Sequence, residues 1–197
     1  PKGRQEEVRN DLLAGKSPAG REPVQARGGN LYFRTRAGAE GLFSKTNPGN
    51  TAWAKTTFYA PKAGTMYAMV GFDAPARSTR RCSGVPAAGE WSQCGTRIWV
   101  NGKEVKNPQT YKLAGQRRYE KHTWNSPDNE ISFDNEEFWW ARPPIPFQVK
   151  AGENTILIEQ PYTGNFQSWG VSFIPVKKSG DRWIADPSYY LKNKGEK

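Results

Sequence analysis

The sequence predicts an all-β protein built as an antiparallel β-sandwich, and three neighbouring segments carry that prediction. Residues 145–149 (Ile-Pro-Phe-Gln-Val) alternate apolar residues with Pro or polar ones, a period of two that is typical of a half-buried strand. Residues 150–154 have turn composition, and residues 155–160 continue as a second strand. Residues 169–175 alternate once more, beginning at a Trp. Strands joined by short turns are typical of antiparallel sheets.

The earlier part of the chain repeats this pattern. Asn101-Gly102 is a hairpin turn signal between two short β-rich segments. Residues 65–72 are apolar throughout, as expected for a central strand that is covered on both faces. Further strands are predicted at 31–35, 52–59, 96–100 and 103–105.

The length of 197 residues is enough for one sandwich domain with its own core. Residues 1–28 are charged and contain Gly and Pro, which predicts a linker or an extended N-terminal arm, with a short helix over 6–14 that Gly15 ends. Residues 29–176 hold the strand patterns and form the predicted domain. Residues 177–197 are mixed in charge and are expected to be a charged C-terminal tail.

The net charge of +10 favours an anionic partner. The basic residues are nevertheless scattered in short runs such as Arg80-Arg81 and Arg117-Arg118. A nucleic-acid-binding domain more often concentrates them on one helix or stripe, so we do not expect nucleic acid as the partner. No apolar run approaches the length of a membrane-spanning helix, which predicts no membrane span.

Two cysteines, Cys82 and Cys94, bracket a loop that contains Gly and Pro. An even pair around a loop predicts one local disulfide and an oxidising, extracytoplasmic compartment. Two free thiols in a cytosolic protein remain the alternative. The spacing does not fit a zinc site, for which only His122 would be available as a further ligand.

The chemistry of an enzyme is mostly missing. His122 is the single histidine, no Gly-x-Ser-x-Gly motif accompanies it, and no phosphate-binding loop occurs. Acidic residues cluster in a polar loop over 128–137, where paired carboxylates, a calcium site or plain solvation all fit, with solvation favoured. We therefore predict a non-catalytic chain without a cofactor.

Sugar binding requires less, namely an aromatic ring for the apolar face of a pyranose and planar polar groups for its hydroxyls. Eight Trp exceed the needs of one core, so some are expected on binding loops, Trp91 among them, while Trp53, Trp99 and Trp169 are expected in the core. Trp139 and Trp140 are adjacent in an extended segment, so one is expected to be buried and the other exposed. The candidate ligand-binding residues are Trp124, Asn135, Glu137, Trp139, Trp140, Arg142, Tyr162 and Asn165.

Three segments carry a resemblance to a known family: 52–62 (Ala-Trp-Ala-Lys-Thr-Thr-Phe-Tyr-Ala-Pro-Lys), 95–105 (Gly-Thr-Arg-Ile-Trp-Val-Asn-Gly-Lys-Glu-Val) and 141–158, which begins Ala-Arg-Pro-Pro-Ile-Pro-Phe. The chain resembles the non-catalytic β-sandwich domain of β-N-acetylhexosaminidases (family 20 glycoside hydrolases) secreted by gut bacteria. The resemblance implies a jelly-roll, galactose-binding-domain-like fold beside a glycosidase catalytic domain. No residue matches that family's catalytic pair, and the cysteine loop and the basic balance depart from its pattern.

The leading hypothesis is a non-catalytic accessory domain of an exported glycoside hydrolase that binds host or dietary glycans, acidic or mucin-type ones in view of the charge. The alternative is a structural domain that packs on the catalytic barrel without binding sugar. A third hypothesis, an enzyme in its own right, is disfavoured by the missing site.

Overall fold

The computed structural model describes residues 3–17, 30–34, 41–43, 48–72, 87–92, 94–109, 144–162 and 169–191. Within these residues the chain forms one helix and ten strands. In chain order they are α1 (Gln5–Leu13), β1 (Asn30–Arg34), β2 (Thr51–Ala60), β3 (Gly64–Phe72), β4 (Arg97–Val100), β5 (Lys103–Val105), β6 (Ile145–Val149), β7 (Gly152–Pro161), β8 (Trp169–Ser179), β9 (Arg182–Ala185) and β10 (Tyr190–Leu191).

The strands form two sheets that pack face to face, which confirms the all-β sandwich. Sheet A has the order β1-β8-β3-β6, and β9 pairs with the far end of β8. Sheet B has the order β10-β2-β7-β4-β5. Every strand pair is antiparallel. The jelly-roll, galactose-binding-domain-like subtype stays a prediction.

Alternating side chains from both sheets meet in one core. Phe58 from β2, Met66 from β3 and Ile156 from β7 are almost completely buried there. Trp91, which precedes β4, is also buried, stacks on Phe147 with ring centroids 5.8 Å apart, and donates from Nε1 to the Val105 carbonyl at 2.7 Å. The expectation that Trp91 serves on a binding loop is therefore wrong, because its ring is part of the core.

The predicted strands appear with small shifts of their ends. The segment expected over 65–72 is β3, and it is central in sheet A because it pairs with both β6 and β8. The Asn101-Gly102 signal is confirmed: both residues have positive φ, 51° and 79°, as a type I′ hairpin turn requires.

Asn154 makes hydrogen bonds at the turn through which the chain passes from sheet A to sheet B. Its side chain is fully buried at the start of β7. It accepts from the Lys150 amide at 3.0 Å and donates to the Lys150 carbonyl at 2.7 Å and the Gly152 carbonyl at 3.0 Å. Asn101 donates to its Oδ1 at 2.8 Å from the β4–β5 turn. One amide thus holds two turns together.

The N-terminal segment contributes a docked helix. Helix α1 lies over the outer face of sheet B, where Arg9 bonds both oxygens of Glu159 at 3.1 and 3.3 Å. Lys55 of β2 donates to the Leu12 carbonyl at 2.8 Å, a cation at the C-terminal end of the helix dipole. The short helix predicted over 6–14 is confirmed, whereas residues 1–2 and 18–28 of the expected linker lie outside the described residues.

The expected tail over 177–197 is folded as far as residue 191. Strand β8 continues to Ser179, a turn with Gly180 at φ 59° leads into β9, and β10 then pairs with β2. Between them, the Asp186 amide bonds the Pro175 carbonyl at 2.9 Å. Both sheets therefore extend beyond residue 176. The segments are too short and too charged to show an apolar alternation, but their backbones complete both sheets.

Replacing Asn154 with Ala is expected to destabilise the fold by about 2–3 kcal/mol, because backbone groups at Lys150 and Gly152 lose their buried partner. Urea unfolding followed by tryptophan fluorescence measures this change. Gln148→Ala in β6, just before the same turn, is the control, since that exposed amide makes a single bond to the Thr65 hydroxyl. Equal effects for the two variants would contradict the role assigned to Asn154.

Replacing Arg9 with Ala is expected to cost about 2 kcal/mol at pH 7, because it leaves the buried Glu159 carboxylate with only Arg97 at 3.9 Å. Burial already raises the pKa of Glu159, although Arg9 and Arg97 oppose the shift. Because the folded pKa of Glu159 lies above the ordinary 4.5, the carboxyl already takes up a proton as pH falls towards 4.5, so the cost of Arg9→Ala should shrink over that range.

Arg4→Ala is the matched control for the Arg9 variant. Arg4 pairs with Glu7 on the exposed side of the same helix, and surface ion pairs contribute little. Unfolding curves of the Arg4 variant that match the loss seen for Arg9 would show that helix formation, and not docking, is being measured.

Candidate functional site

The outer face of sheet A carries partly exposed aromatic rings. Tyr32 of β1 is 52% exposed and Tyr67 of β3 is 40% exposed, while Trp183 of β9 is half-buried. Lys178 of β8 lies beside Trp183 on the same face. Together, Tyr32, Tyr67, Trp183 and Lys178 define what we call the aromatic face.

Strand alternation explains why these rings point outward. In β3, Met66 and Ala68 are buried in the core, so Tyr67 between them faces the other way. The register pairs Tyr67 with Val176, and Lys178 of the same strand with Trp183. The Tyr67 and Trp183 rings therefore meet diagonally across β8, with centroids 5.2 Å apart and planes inclined by 44°.

Tyr32 occupies the far end of the same face because β1 runs very close to β8. A Cβ atom on Gly170 would lie 2.5 Å from the Leu31 carbonyl oxygen and 3.4 Å from the Tyr32 ring. Only glycine allows this approach at position 170, so the Tyr32 ring lies directly against the backbone of β8.

The polar groups of the face are neutral or basic. Gln148 of β6 donates to the Thr65 hydroxyl at 3.1 Å, and both side chains are exposed. The ammonium of Lys178 lies 5.0 Å from the Trp183 ring centroid, a cation–π contact. The arrangement offers aromatic surface, amide and hydroxyl groups and one positive charge.

Most of the residues predicted to bind ligand fall outside the described part of the chain. They are Trp124, Asn135, Glu137, Trp139, Trp140, Arg142 and Asn165, and their role stays a prediction. Tyr162 is described: it is 6% exposed, and its ring centroid lies 4.9 Å from that of the buried Trp169. The structure places Tyr162 in the core, and not on the surface that it was expected to share with Asn165.

Among the described residues, two buried donors of the core have no hydrogen-bond partner. They are Gln160 Nε2 and Trp169 Nε1. Gln160 does accept from the Thr96 hydroxyl, which in turn bonds Ser92 at 2.6 Å. Buried N–H groups without partners are rare in native proteins.

Only part of the predicted disulfide and metal sites lies within the described residues. Cys94 is described, and among the described residues no cysteine is a free thiol, but Cys82 lies outside them, so the Cys82–Cys94 pairing stays a prediction. His122 and the acidic loop over 128–137, the proposed calcium site, also lie outside. The described residues contain no group of three or more acidic, His or Cys side chains placed to hold a metal ion.

Two carboxylates on the outer face of sheet B, those of Glu104 and Glu159, are engaged by cations. Glu104 bonds Arg97 and, at 3.0 Å, Lys106, and Glu159 bonds Arg9. The Arg97 hydrogen bond lowers the pKa of Glu104 to about 2, with Lys106 contributing. A carboxyl with so low a pKa cannot donate a proton at neutral pH, and the Glu159 carboxyl is 6% exposed.

The Trp99 ring ties this cluster together. The guanidinium groups of Arg97 and Arg9 lie 4.7 and 5.4 Å from its centroid, and Trp53 packs beside it at 6.5 Å. Trp99 is 4% exposed, so it is buried as expected. It lies on the outer face of sheet B, however, and is covered by these neighbours and not by the core between the sheets. Trp169 is in that core, as predicted.

Sequence reasoning missed Tyr67 and Trp183 as surface residues. Tyr67 belongs to the strand that is predicted to be apolar throughout. Its position between Met66 and Ala68 nevertheless places it on the opposite face from these two residues. Trp183 was assigned to the tail. The signal that identifies it is Ser-Gly-Asp over 179–181, a turn composition followed by Arg-Trp-Ile-Ala.

Neither a protein-family model, a curated protein nor a solved structure matches the chain. The resemblance to the accessory domain of β-N-acetylhexosaminidases therefore stays a prediction. In the described part of the chain, no helix is long and apolar enough to cross a membrane.

The Glu104–Arg97 pair predicts a pH-dependent contribution to stability. Since the folded pKa of Glu104 is about 2, below the ordinary 4.5, its contribution is present above pH 4.5 and is lost as pH falls towards 2. Side-chain exposures of 25% for Glu104 and 36% for Arg97 let solvent screen the pair, so Glu104→Gln should cost about 1 kcal/mol at pH 7.

Urea unfolding at pH 7, 4.5 and 2.5 measures this dependence. The cost of Glu104→Gln should be largest at pH 7 and close to zero at pH 2.5. Glu90→Gln, at an exposed loop position, is the control and should change little at any pH. A cost for Glu104→Gln that stays constant across the series would contradict the ion-pair explanation.

Proposed function

We propose that this chain is a non-catalytic, glycan-binding accessory domain of an exported glycoside hydrolase. The observation that carries the proposal is the Tyr67–Trp183 pair, two partly exposed rings in contact on a rigid sheet. Gln148 and Thr65 supply amide and hydroxyl groups on the same face. Aromatic rings beside planar polar groups are the combination that a pyranose requires.

The rigidity of the face supports this function. The rings stand on paired strands of sheet A, so little conformational entropy is lost when a ligand stacks on them. Tyr and Trp present a large flat surface with few rotatable bonds, which is why they are enriched at recognition surfaces. A sugar bound here would lie across β3, β8 and β9.

The remaining parts of the proposal come from the sequence. The aromatic and Arg-bearing loops around Trp124, Trp139, Trp140 and Arg142 would extend the binding surface. The predicted disulfide and the family resemblance favour an extracytoplasmic location beside a glycosidase catalytic domain. Incubation of the chain with chromogenic glycosides tests its non-catalytic character, and turnover would contradict it.

Glycan binding is tested by a glycan array and by titration calorimetry with the glycans that the array selects. Tyr67→Ala and Trp183→Ala should each weaken binding by about tenfold, the cost typical of removing an aromatic contact from the centre of a binding surface. The measurement is made at low and at high salt, because binding by stacking survives screening whereas attraction to the net charge does not.

Tyr59→Ala is the matched control. Tyr59 lies on the outer face of sheet B, where its hydroxyl donates to Glu153 at 3.1 Å. It should leave glycan affinity unchanged. Circular dichroism and thermal unfolding separate lost binding from lost folding. Glycan binding that survives both Tyr67→Ala and Trp183→Ala would mean that other residues bind the glycan. An equal loss of binding in Tyr59→Ala would mean that the aromatic face is not specifically responsible.

A structural domain that packs on a catalytic barrel is the second candidate, and the aliphatic residues of sheet A favour it. Met69 and Ile174 are half-buried on the same face as Tyr67. Exposed apolar surface beside aromatic rings is also typical of protein interfaces. Absence of glycan binding, together with capture of a separately produced catalytic domain by this chain, would favour packing.

A further inference from the structure

Lys178 is placed differently from its neighbour Lys177. The β8–β9 register pairs Lys178 with Trp183 and Lys177 with Ile184, so the two side chains stand on opposite faces. Lys177 bonds Asp186 at 3.8 Å. In the part of the chain that the structure describes, Lys178 makes no ion pair, and its contact is the ring of Trp183 at 5.0 Å.

Among the described residues, the outer face of sheet A offers no carboxylate to neutralise Lys178. The described strand positions on this face hold aromatic, aliphatic, amide, hydroxyl and glycine residues, but no Asp or Glu. Beside Lys178 they are Val176, Trp183 and Ala185, and Tyr67 packs against Trp183.

The nearest acidic residues in sequence do not change this. Asp186 is engaged by Lys177 and by the Ser188 hydroxyl at 2.7 Å, and Asp181 lies in the exposed β8–β9 turn. The Trp183 ring holds the Lys178 ammonium beside the aromatic pair. The Lys178 side chain therefore loses less conformational entropy when a ligand binds.

We infer that the aromatic face takes an anionic sugar and that Lys178 is the residue that recognises its charge. The inference rests on the proposed glycan-binding function and names the ligand class of that site. The pyranose stacks on Tyr67 and Trp183, and its carboxylate or sulfate group contacts the ammonium of Lys178. The net charge of +10 attracts such glycans from a distance, while Lys178 acts at contact.

The test uses three glycans with one backbone: N-acetyllactosamine, its sialylated form and its sulfated form. Affinities are measured at 150 mM salt for the whole chain and for Lys178→Gln and Lys178→Arg. The unaltered chain should prefer at least one anionic form by up to about fivefold, the range for an exposed ion pair. Lys178→Gln should abolish that preference while retaining affinity for the neutral glycan, and Lys178→Arg should keep it.

Lys103→Gln is the control, because it removes the same charge from an exposed position on sheet B. It should leave the preference intact. Two results overturn the assignment to Lys178: a preference that persists in Lys178→Gln, or one that is lost equally in Lys103→Gln. Equal binding of all three glycans overturns the anionic ligand class but leaves the glycan-binding function standing. No binding to any of the three overturns this inference, and the glycan array decides separately whether the glycan-binding function also fails.

Discussion

The sandwich depends on how the chain passes from one sheet to the other, and the buried amide of Asn154 controls that passage. Strand β6 ends in sheet A and β7 begins in sheet B, with a few residues between them. Backbone groups of Lys150 and Gly152 in this turn take the buried Asn154 side chain as their hydrogen-bond partner. Asn154 satisfies them and also holds the neighbouring turn through Asn101. The packing of Ile156 against Phe147 and the rest of the core follows from this fixed geometry.

The two outer faces are used in contrasting ways. On sheet B, Trp99 is enclosed by Arg9, Arg97 and the helix that carries Arg9, so its aromatic surface is already occupied. On sheet A, Tyr32 and Tyr67 keep a large part of their surface exposed. On both faces a Trp thus lies beside a cation. On sheet B these residues attach helix α1, whereas on sheet A they remain accessible. This asymmetry selects the face on which a ligand would bind.

Much of the fold was predictable because its longer strands have a clear period of two and the β4–β5 hairpin has an Asn-Gly turn. Segments such as β9 and β10 were not, because four or two residues of mixed polarity carry no periodic signal and are held by pairing with distant strands. The candidate site was predicted on loops, where Trp and Arg are frequent. The contact between Tyr67 and Trp183 could not be predicted, because it arises only from the register of the three strands β3, β8 and β9. Tyr162 shows the converse: its position beside a loop says nothing about burial, which its contact with Trp169 decides.

The pairing of β10 with β2 has a consequence for biosynthesis. Tyr190 and Leu191 pair with Tyr59 and Phe58, so the last described strand closes sheet B against one made far earlier. During translation this edge of β2 stays unpaired until the segment that carries β10 has been synthesised, and contacts between such distant segments form slowly. Until then the edge is exposed to edge-to-edge association, and β10 afterwards covers it at Phe58 and Tyr59.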